Sequence, residues 1–160
     1  MEKEFINSMV ALYERDLNKL KLEIELYGNE GDKGDRRDES LLWQIRDEIK
    51  NSAGNLCLHL CGNLQHYIGF RLGGFAYHRN RDLEFAAKDI PLEKLLAELL
   101  RTKQVVLGTL EKLDNKILVE EYPEQVFGKP MTTVYFLIHL AGHLNYHLGQ
   151  INYHRRLITA

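Results

Sequence analysis

The chain has 160 residues, a formal net charge of -2 and 44% hydrophobic residues, with 21 lysine or arginine and 23 aspartate or glutamate side chains. This composition predicts one soluble domain over residues 1–160 and excludes a disordered chain, a collagen-like repeat and a disulfide scaffold. The balanced charge argues against nucleic-acid binding, because proteins that neutralise many phosphates carry a basic excess. The N-terminal segment mixes charges with apolar positions, so we expect a cytoplasmic protein with no signal peptide and no membrane association.

Helical periodicity, rather than strand-like alternation, runs between the sparse glycines and prolines, so the sequence predicts an all-α fold. A first helix is expected over Glu2–Leu26, where apolar residues recur every three to five positions before Gly28. Segment 29–39 is polar and rich in glycine, so it is expected to be an exposed loop. The next residues, Ser40–Trp43, are expected to form a short turn whose tryptophan packs on the bundle.

A second helix is expected to begin after Ser52, a suitable N-cap, and to end near Leu72, before a pair of glycines. Segment Phe75–Pro91 follows as a long connection of the kind that is functional or joins distant helix ends. A third helix is predicted over Leu92–Leu118, with the preceding proline as its first residue.

A loop over Glu120–Pro130 then leads to a fourth helix that is capped by Thr132 or Thr133 and runs almost to the C-terminus. Four long helices predict a four-helix bundle, and the long crossover connections allow a non-meander topology.

The histidines are concentrated in two of these helices. Four of the seven lie on one face of the fourth helix, and two lie seven residues apart in the second; they are His139, His143, His147 and His154, and His59 and His66. Two imidazoles one helical turn apart can bind one metal ion, and a third from a facing helix completes a three-nitrogen site with an open position. Such a site suits catalysis, with zinc or nickel as the candidate metal.

The alternative is a polar seam inside the bundle, in which the histidines bond to one another and to Asn63, Asn145 and Gln150. A metal site is favoured over the seam, because leucine packs a bundle more simply than six buried imidazoles that all need partners.

The two histidine-bearing segments, 54–78 and 131–160, contain no aspartate or glutamate. A general base of the HExxH type is therefore absent from the ligand helices, although glutamates of the first or third helix could reach the site. A cage of neutral imidazoles leaves the metal its full charge, which favours hydroxide or a substrate thiolate as the fourth ligand.

The string His143-x-x-x-His147-Leu-Gly-Gln150, together with His59 in HLCGNLQHYIG, resembles the DinB/YfiT-like superfamily over nearly the whole chain. The longer strings NSAGNLCLHLCGNLQHYIG, RNRDLEF and HLNYHLGQINYHRRL are similar to one branch of it. The resemblance implies a homodimeric four-helix bundle that holds a divalent metal on His59, His143 and His147. Better understood relatives, bacillithiol S-transferases and mycothiol-dependent maleylpyruvate isomerase, activate a small thiol at the metal and transfer it to an electrophile.

Other polar residues near this motif have two interpretations each. His139 could hydrogen-bond a ligand or line a substrate channel, or it could complete a polar seam. Asn63 and Gln150 could orient ligand imidazoles, or Gln150 could satisfy backbone groups. Arg79 and Arg81 could bind the carboxylates of an anionic thiol cosubstrate, or they could form ion pairs with Asp82 and Glu84 in the crossover.

The remaining residues of these types have no place in the motif. His66 and His154 are not part of the recognised pattern, although His66 could lie near the metal or the substrate. His78 is expected to be exposed. Cys57 and Cys61 point away from His59 on the helical wheel and are expected to be core residues.

Two functions therefore compete. The first is a metal-dependent enzyme that activates a low-molecular-weight thiol, or water, for transfer to a small electrophile. The alternative is a non-catalytic metal- or ligand-binding protein of the stress response. A metal-free dimeric interaction module would require every histidine to be structural.

Overall fold

The computed structural model describes residues 2–28 and 38–158, and within them it contains six α-helices and no strand. The helices are α1 (Glu2–Glu25), α2 (Ala53–Leu64), α3 (Arg81–Ala86), α4 (Leu92–Leu110), α5 (Asn115–Val119) and α6 (Thr133–Ile158). A 3-10 turn, Glu39–Trp43, precedes α2, and a π-helical segment, Gln65–Phe70, continues it. The predicted all-α class is confirmed for these residues.

The four long helices, α1, α2, α4 and α6, form a four-helix bundle, as the sequence predicts. Helix α1 packs between α4 and α6, and α2 packs between the same two helices on the other side, so α1 and α2 lie diagonally across the core. Helices α1 and α6 run parallel. The hydroxyl of Tyr13, in the middle of α1, donates to the carbonyl of Leu137 at 2.8 Å, and further along both helices Asn152 donates to Glu23 at 2.8 Å.

Helices α2 and α4 also run parallel. Just beyond the end of α2, Gln65 Nε2 donates to Thr102 Oγ1 at 3.0 Å, and further along the same direction Gly73 lies against the hydroxyl of Thr109 near the end of α4. Because α2 ends at the opposite end of the bundle from the start of α4, segment 71–91 has to return along the length of the bundle. It does so against α2, with which α3 is in contact. The predicted long crossover and non-meander topology are confirmed.

Apolar side chains from all four long helices fill the core. Among the fully buried ones are Leu17, Leu20 and Ile24 of α1, Leu60 and Leu64 of α2, Leu95 and Leu99 of α4, and Leu144 and Ile151 of α6. Each stabilises the bundle by about 1.5–3 kcal/mol relative to an exposed side chain. The fold therefore has a large hydrophobic core that does not depend on the histidines.

The beginning of α2 is as predicted. Ser52 Oγ accepts a hydrogen bond from the backbone N–H of Asn55 at 3.1 Å and so caps the helix. The indole of Trp43 packs on this first turn against Gly54, where a side-chain carbon would overlap the ring. At the other end of the helix the π-helical segment gives way to a turn that includes Gly74 at a φ of 67°.

The crossover contains a helix, α3, where the sequence predicts only a long connection. Asn80 caps it by accepting from the backbone N–H of Leu83 at 3.1 Å. At its end the side-chain amide of Asn55 donates to the carbonyls of Glu84 at 3.0 Å and Ala87 at 2.8 Å. These contacts with α2 stabilise a helix that is too short to show apolar periodicity.

The predicted third helix, Leu92–Leu118, is wrong in its extent. It ends at Leu110, and Asp114 caps a separate helix, α5, by accepting from the backbone N–H of Lys116 at 3.1 Å. The apolar pattern continues to Leu118 because that residue is also buried against the core. Pro91 is the N-cap of α4, with an extended ψ of 141°, rather than its first residue.

Helix α6 matches the predicted fourth helix, and Thr132 Oγ1 caps it by accepting from the backbone N–H of Tyr135 at 3.3 Å. Its outer face exposes large side chains, including Tyr135, Ile138, Tyr146 and Tyr153. The homodimer stays a prediction. Most of the loop expected over 29–39 lies outside the described residues. Among the helices of residues 2–28 and 38–158, none combines the length and the apolar composition of a membrane-spanning segment.

Candidate metal centre

Three histidines from two facing helices meet at one point. His59 of α2 is buried, and His143 and His147, one turn apart on α6, are half-buried. The Nε2 atom of His143 lies 3.2 Å from Nε2 of His59 and 3.1 Å from Nε2 of His147. All three ligand atoms lie within 4.8 Å of one another, so these side chains could hold a metal ion.

The hydrogen bonds of the other ring nitrogens determine which atoms face the centre. His59 Nδ1 lies 2.9 Å from a carboxylate oxygen of Glu84, and His147 Nδ1 lies 2.6 Å from Oε1 of Gln150. Each Nδ1 therefore carries the proton and donates it. In the neutral form that a metal ligand requires, each of these two rings has its one N–H at Nδ1, and its Nε2 atom then presents a lone pair to the centre.

The third ring, His143, cannot satisfy both of these lone pairs. If the proton of His143 is on Nε2, it can be donated to only one of the two lone pairs. If the proton is on Nδ1, the Nε2 atom of His143 adds a third lone pair to the centre. Its Nδ1 is buried and has no hydrogen-bond partner in the described structure. Three imidazole nitrogens with too few protons between them fit a divalent cation of borderline softness, such as zinc or nickel.

The pKa values favour the neutral form that a metal ligand requires. Burial, together with the neighbouring rings of His147 and His59, lowers the pKa of His143 to about 3. Burial also lowers the pKa of His147, although its hydrogen bond with Gln150 opposes the shift. Both rings are therefore neutral near pH 7.

Glu84 of α3 is the main site residue that the sequence analysis did not assign to the metal centre. Its carboxylate is buried and accepts two hydrogen bonds from Arg79, from Nε at 2.7 Å and from Nη2 at 2.9 Å, in addition to the one from His59. Burial alone would raise the pKa of Glu84, but the bonds from His59 and Arg79 outweigh it and lower the pKa. The carboxylate is thus charged and directed at the back of a ligand ring.

The surface of α2 is shaped to receive this carboxylate. A side-chain carbon at Gly62 would overlap the Oε1 atom of Glu84, so only glycine permits the approach. Asn55, one turn before His59, holds the end of α3 in place. Asn55 and Gly62, which share a face of α2 with His59, therefore fix the position of Glu84 relative to that ring.

A cleft of about 220 Å³ lies beside the histidine cluster. Its lining combines ligand residues, cations and apolar walls, and consists of His59, Asn63, Tyr67, Arg79, Arg81, Val126, Phe136, His139, Leu140 and His143.

The other residues singled out from the sequence have different places around this cleft. His139 is exposed and stacks on Phe136, with its ring centroid 6.4 Å from that of His143, so it lies along the cleft wall. Gln150 contacts His147, as the orienting interpretation requires. Asn63 lines the cleft, and its Oδ1 atom is buried without a hydrogen-bond partner.

The two arginines have separate environments. Arg79 is paired with Glu84, as the ion-pair interpretation of the crossover predicts. Arg81 is exposed, and its guanidinium carbon lies 5.2 Å from the ring centroid of Phe85.

Two histidines lie outside the cluster. His66 Nε2 is 3.3 Å from Glu124, which also pairs with Arg71, so this ring is not brought to the centre. His154 is buried at the other end of α6, where its nitrogens contact the hydroxyl of Tyr27 at 2.6 Å and the carbonyl of Gln44 at 2.9 Å.

The expectations for His78 and the two cysteines are confirmed. His78 is exposed. Cys57 and Cys61 are buried and free, and the hydrogen bond to Cys61 together with burial raises the pKa of the Cys57 thiol.

The bundle has the fold of a DinB-like protein. A crystal structure of a DinB-like protein from Bacillus cereus matches the fold with a TM-score of 0.68 and 16% identity, over 94% of this chain and 91% of that chain. The family model described as "Protein of unknown function (DUF1572)" matches residues 13–160, and the chain belongs to this family. No curated protein matches the sequence. The resemblance to the DinB/YfiT-like superfamily is therefore confirmed.

The low pKa of His143 predicts that acid destabilises the metal-free protein. An unfolded chain binds a proton at this imidazole near its ordinary pKa of 6.5, whereas the folded protein does so only near 3. Below about pH 6.5 the unfolded state therefore holds more protons, and the free energy of unfolding falls as the pH falls.

Urea unfolding at about pH 7 and about pH 4.5 measures this effect. The wild type is expected to lose stability between the two conditions, and His143→Gln is expected to lose less because it has no imidazole to protonate. An equal loss in both proteins would contradict the assignment.

Proposed function

We propose that this protein binds one divalent metal ion, zinc or nickel, on His59, His143 and His147. We further propose that the bound metal activates a low-molecular-weight thiol, or water, for transfer to a small electrophile. The observation that carries the proposal is the meeting of three Nε2 atoms that have too few protons to satisfy one another, beside an accessible cleft.

The protein groups around the centre have distinct roles in this proposal. Glu84, held by Arg79, fixes the tautomer and direction of the His59 ring, and Gln150 does the same for His147. The carboxylate of Glu84 accepts a hydrogen bond from the side of the His59 ring that faces away from the centre, and Glu84 does not line the cleft. The centre is therefore built from neutral donors, with one negative charge behind one of them.

A thiol is a better match than water for the activated group. A divalent metal lowers the pKa of a thiol or of water that binds to it. The pKa of a free thiol, about 8.5, is already close to neutrality, whereas that of water is about 15.7. The cleft lining contains no carboxylate that could serve as a general base. A thiol needs such a base less than water does, because its pKa is lower.

Removal of any one ligand is expected to abolish stable metal binding. Wild-type protein purified without an affinity tag should contain about one metal ion per chain, and His59→Ala, His143→Ala and His147→Ala should contain almost none, because two imidazoles bind weakly. Elemental analysis measures the ratio, and circular dichroism should show unchanged helix content because the apolar core remains.

The matched control is His66→Ala, which removes an imidazole from the π-helical segment after α2, outside the cluster. It is expected to keep its metal. Normal metal content in any of the three ligand variants would contradict the ligand assignment.

The charge of Glu84 is expected to strengthen metal binding through His59. Glu84→Gln keeps the size of the side chain but removes its charge, and it should raise the metal dissociation constant about 10- to 100-fold. Competition with a chromogenic chelator measures this constant.

Glu124→Gln is the control, because Glu124 pairs with a histidine and an arginine, His66 and Arg71, away from the cluster. Its dissociation constant should equal that of the wild type. Equal constants in Glu84→Gln and Glu124→Gln would refute the role of Glu84.

Thiol transfer is tested by mixing metal-loaded protein with 1-chloro-2,4-dinitrobenzene and each of several thiols: cysteine, glutathione, coenzyme A, bacillithiol and mycothiol. The sulfur replaces chloride on the ring, the thiol proton passes to solvent, and the thioether product is followed by its absorbance. At least one thiol should react faster with the metal-loaded wild type than with metal-free protein or His143→Ala. If none does, transfer to this class of electrophile is refuted, and a metal-binding protein without this activity remains.

A further inference from the structure

The cleft beside the histidine cluster contains an unbalanced positive charge. Both Arg79 and Arg81 line it, and no aspartate or glutamate does. Arg79 is neutralised by its two hydrogen bonds with Glu84. In the described ranges, 2–28 and 38–158, no carboxylate lies within ion-pair distance of Arg81.

The position of Arg81 relates this charge to the metal centre. Its guanidinium carbon lies 5.2 Å from the ring centroid of Phe85, and that ring lies 4.9 Å from the ring of His59. A cation over an aromatic face is held there by the quadrupole of the ring. The guanidinium therefore stays beside the cleft with its planar set of donors available for an anion.

The cleft also contains an unsatisfied polar side chain. Asn63, one turn after His59 on α2, is only 7% exposed, and its buried Oδ1 atom has no hydrogen-bond partner in the described part of the chain. A buried acceptor without a donor is costly and rare in folded proteins. From the cleft wall, this oxygen atom can accept a hydrogen bond from an N–H or O–H group of a ligand.

The rest of the wall is apolar or aromatic and the space is small. Tyr67, Val126, Phe136 and Leu140 form this part of the lining. The volume of about 220 Å³ lies below the range of about 300–1,000 Å³ that is typical of pockets for drug-sized ligands. The cleft therefore suits a molecule of roughly the size of one substituted ring or a short chain.

We propose that this cleft binds a small organic carboxylate, with Arg81 pairing its carboxylate and Asn63 accepting a hydrogen bond from a donor on its body. An arginine fork matches the two oxygens of a carboxylate, and the apolar walls favour an organic body over a bare inorganic anion. The inference rests on the proposed function in one respect: the molecule that carries the carboxylate is the substrate, or the thiol, that is presented to the metal.

The test uses benzoate and benzamide, which share a shape and differ in charge. Their affinities are measured by NMR titration of ¹⁵N-labelled protein, both metal-loaded and treated with chelator. Wild-type protein is expected to bind benzoate about ten-fold more tightly than benzamide, as a charge-assisted pair requires. Arg81→Gln should remove this preference.

Arg156→Gln is the matched control. Arg156 is also exposed, and its guanidinium carbon lies 5.6 Å from the ring centroid of Tyr153, but it does not line the cleft. This variant should keep the wild-type preference. Equal binding of benzoate and benzamide by the wild type, or a preference that survives in Arg81→Gln, would overturn the proposal.

The role of Asn63 is tested with the three hydroxybenzoates. At least one isomer is expected to bind more tightly than benzoate, and Asn63→Leu should cancel that gain, so that no isomer then binds more tightly than benzoate binds to the same variant. The absence of a gain for every isomer would refute the role of Asn63.

The chelator-treated samples separate this inference from the proposed function. Loss of the metal leaves Arg81 and Asn63 in place, so the benzoate preference should persist in metal-free protein. Failure to bind any metal would refute the proposed function alone. Normal metal binding without a charge preference would refute the carboxylate site alone.

Discussion

The hydrogen bond between His59 and Glu84 connects the fold of this protein to its candidate chemistry. It joins a ligand ring on α2 to the short helix α3 of the crossover, at 2.9 Å. The bond places the proton of His59 on Nδ1 and leaves the Nε2 lone pair facing His143 and His147. Without this carboxylate the ring could adopt either tautomer, and the three nitrogens would have no fixed set of donors.

The bundle topology is what makes this contact available. Because α2 and α4 are parallel neighbours, the chain between them has to return along the whole bundle, and its path against α2 carries Arg79 and Glu84 past the histidine face. Arg79 balances the charge of Glu84, and Gly62 leaves room for it. A meander of antiparallel helices would need only short loops and would bring no such segment to the centre.

Helical periodicity explains which parts of this arrangement could be predicted from the sequence. His143 and His147 are one turn apart, so their proximity is local, and apolar stripes together with Ser52 and Thr132 located the long helices. Glu84 was missed as a centre residue because its contact with His59 depends on the path of the crossover. His66 lies seven residues after His59, a spacing that places two side chains on nearly the same face of a regular α-helix, but the π-helical segment that begins at Gln65 changes the angular register, and the ring pairs with Glu124 instead.

Anomalous X-ray diffraction from crystals of metal-loaded protein, recorded on both sides of the absorption edge of the metal, tests the central claim most directly. The account predicts one strong peak per chain, bonded to the Nε2 atoms of His59, His143 and His147, with the Nδ1 atom of His59 still hydrogen-bonded to Glu84. A peak at any other group of side chains, or full metal content in crystals with no peak at these three rings, would contradict it.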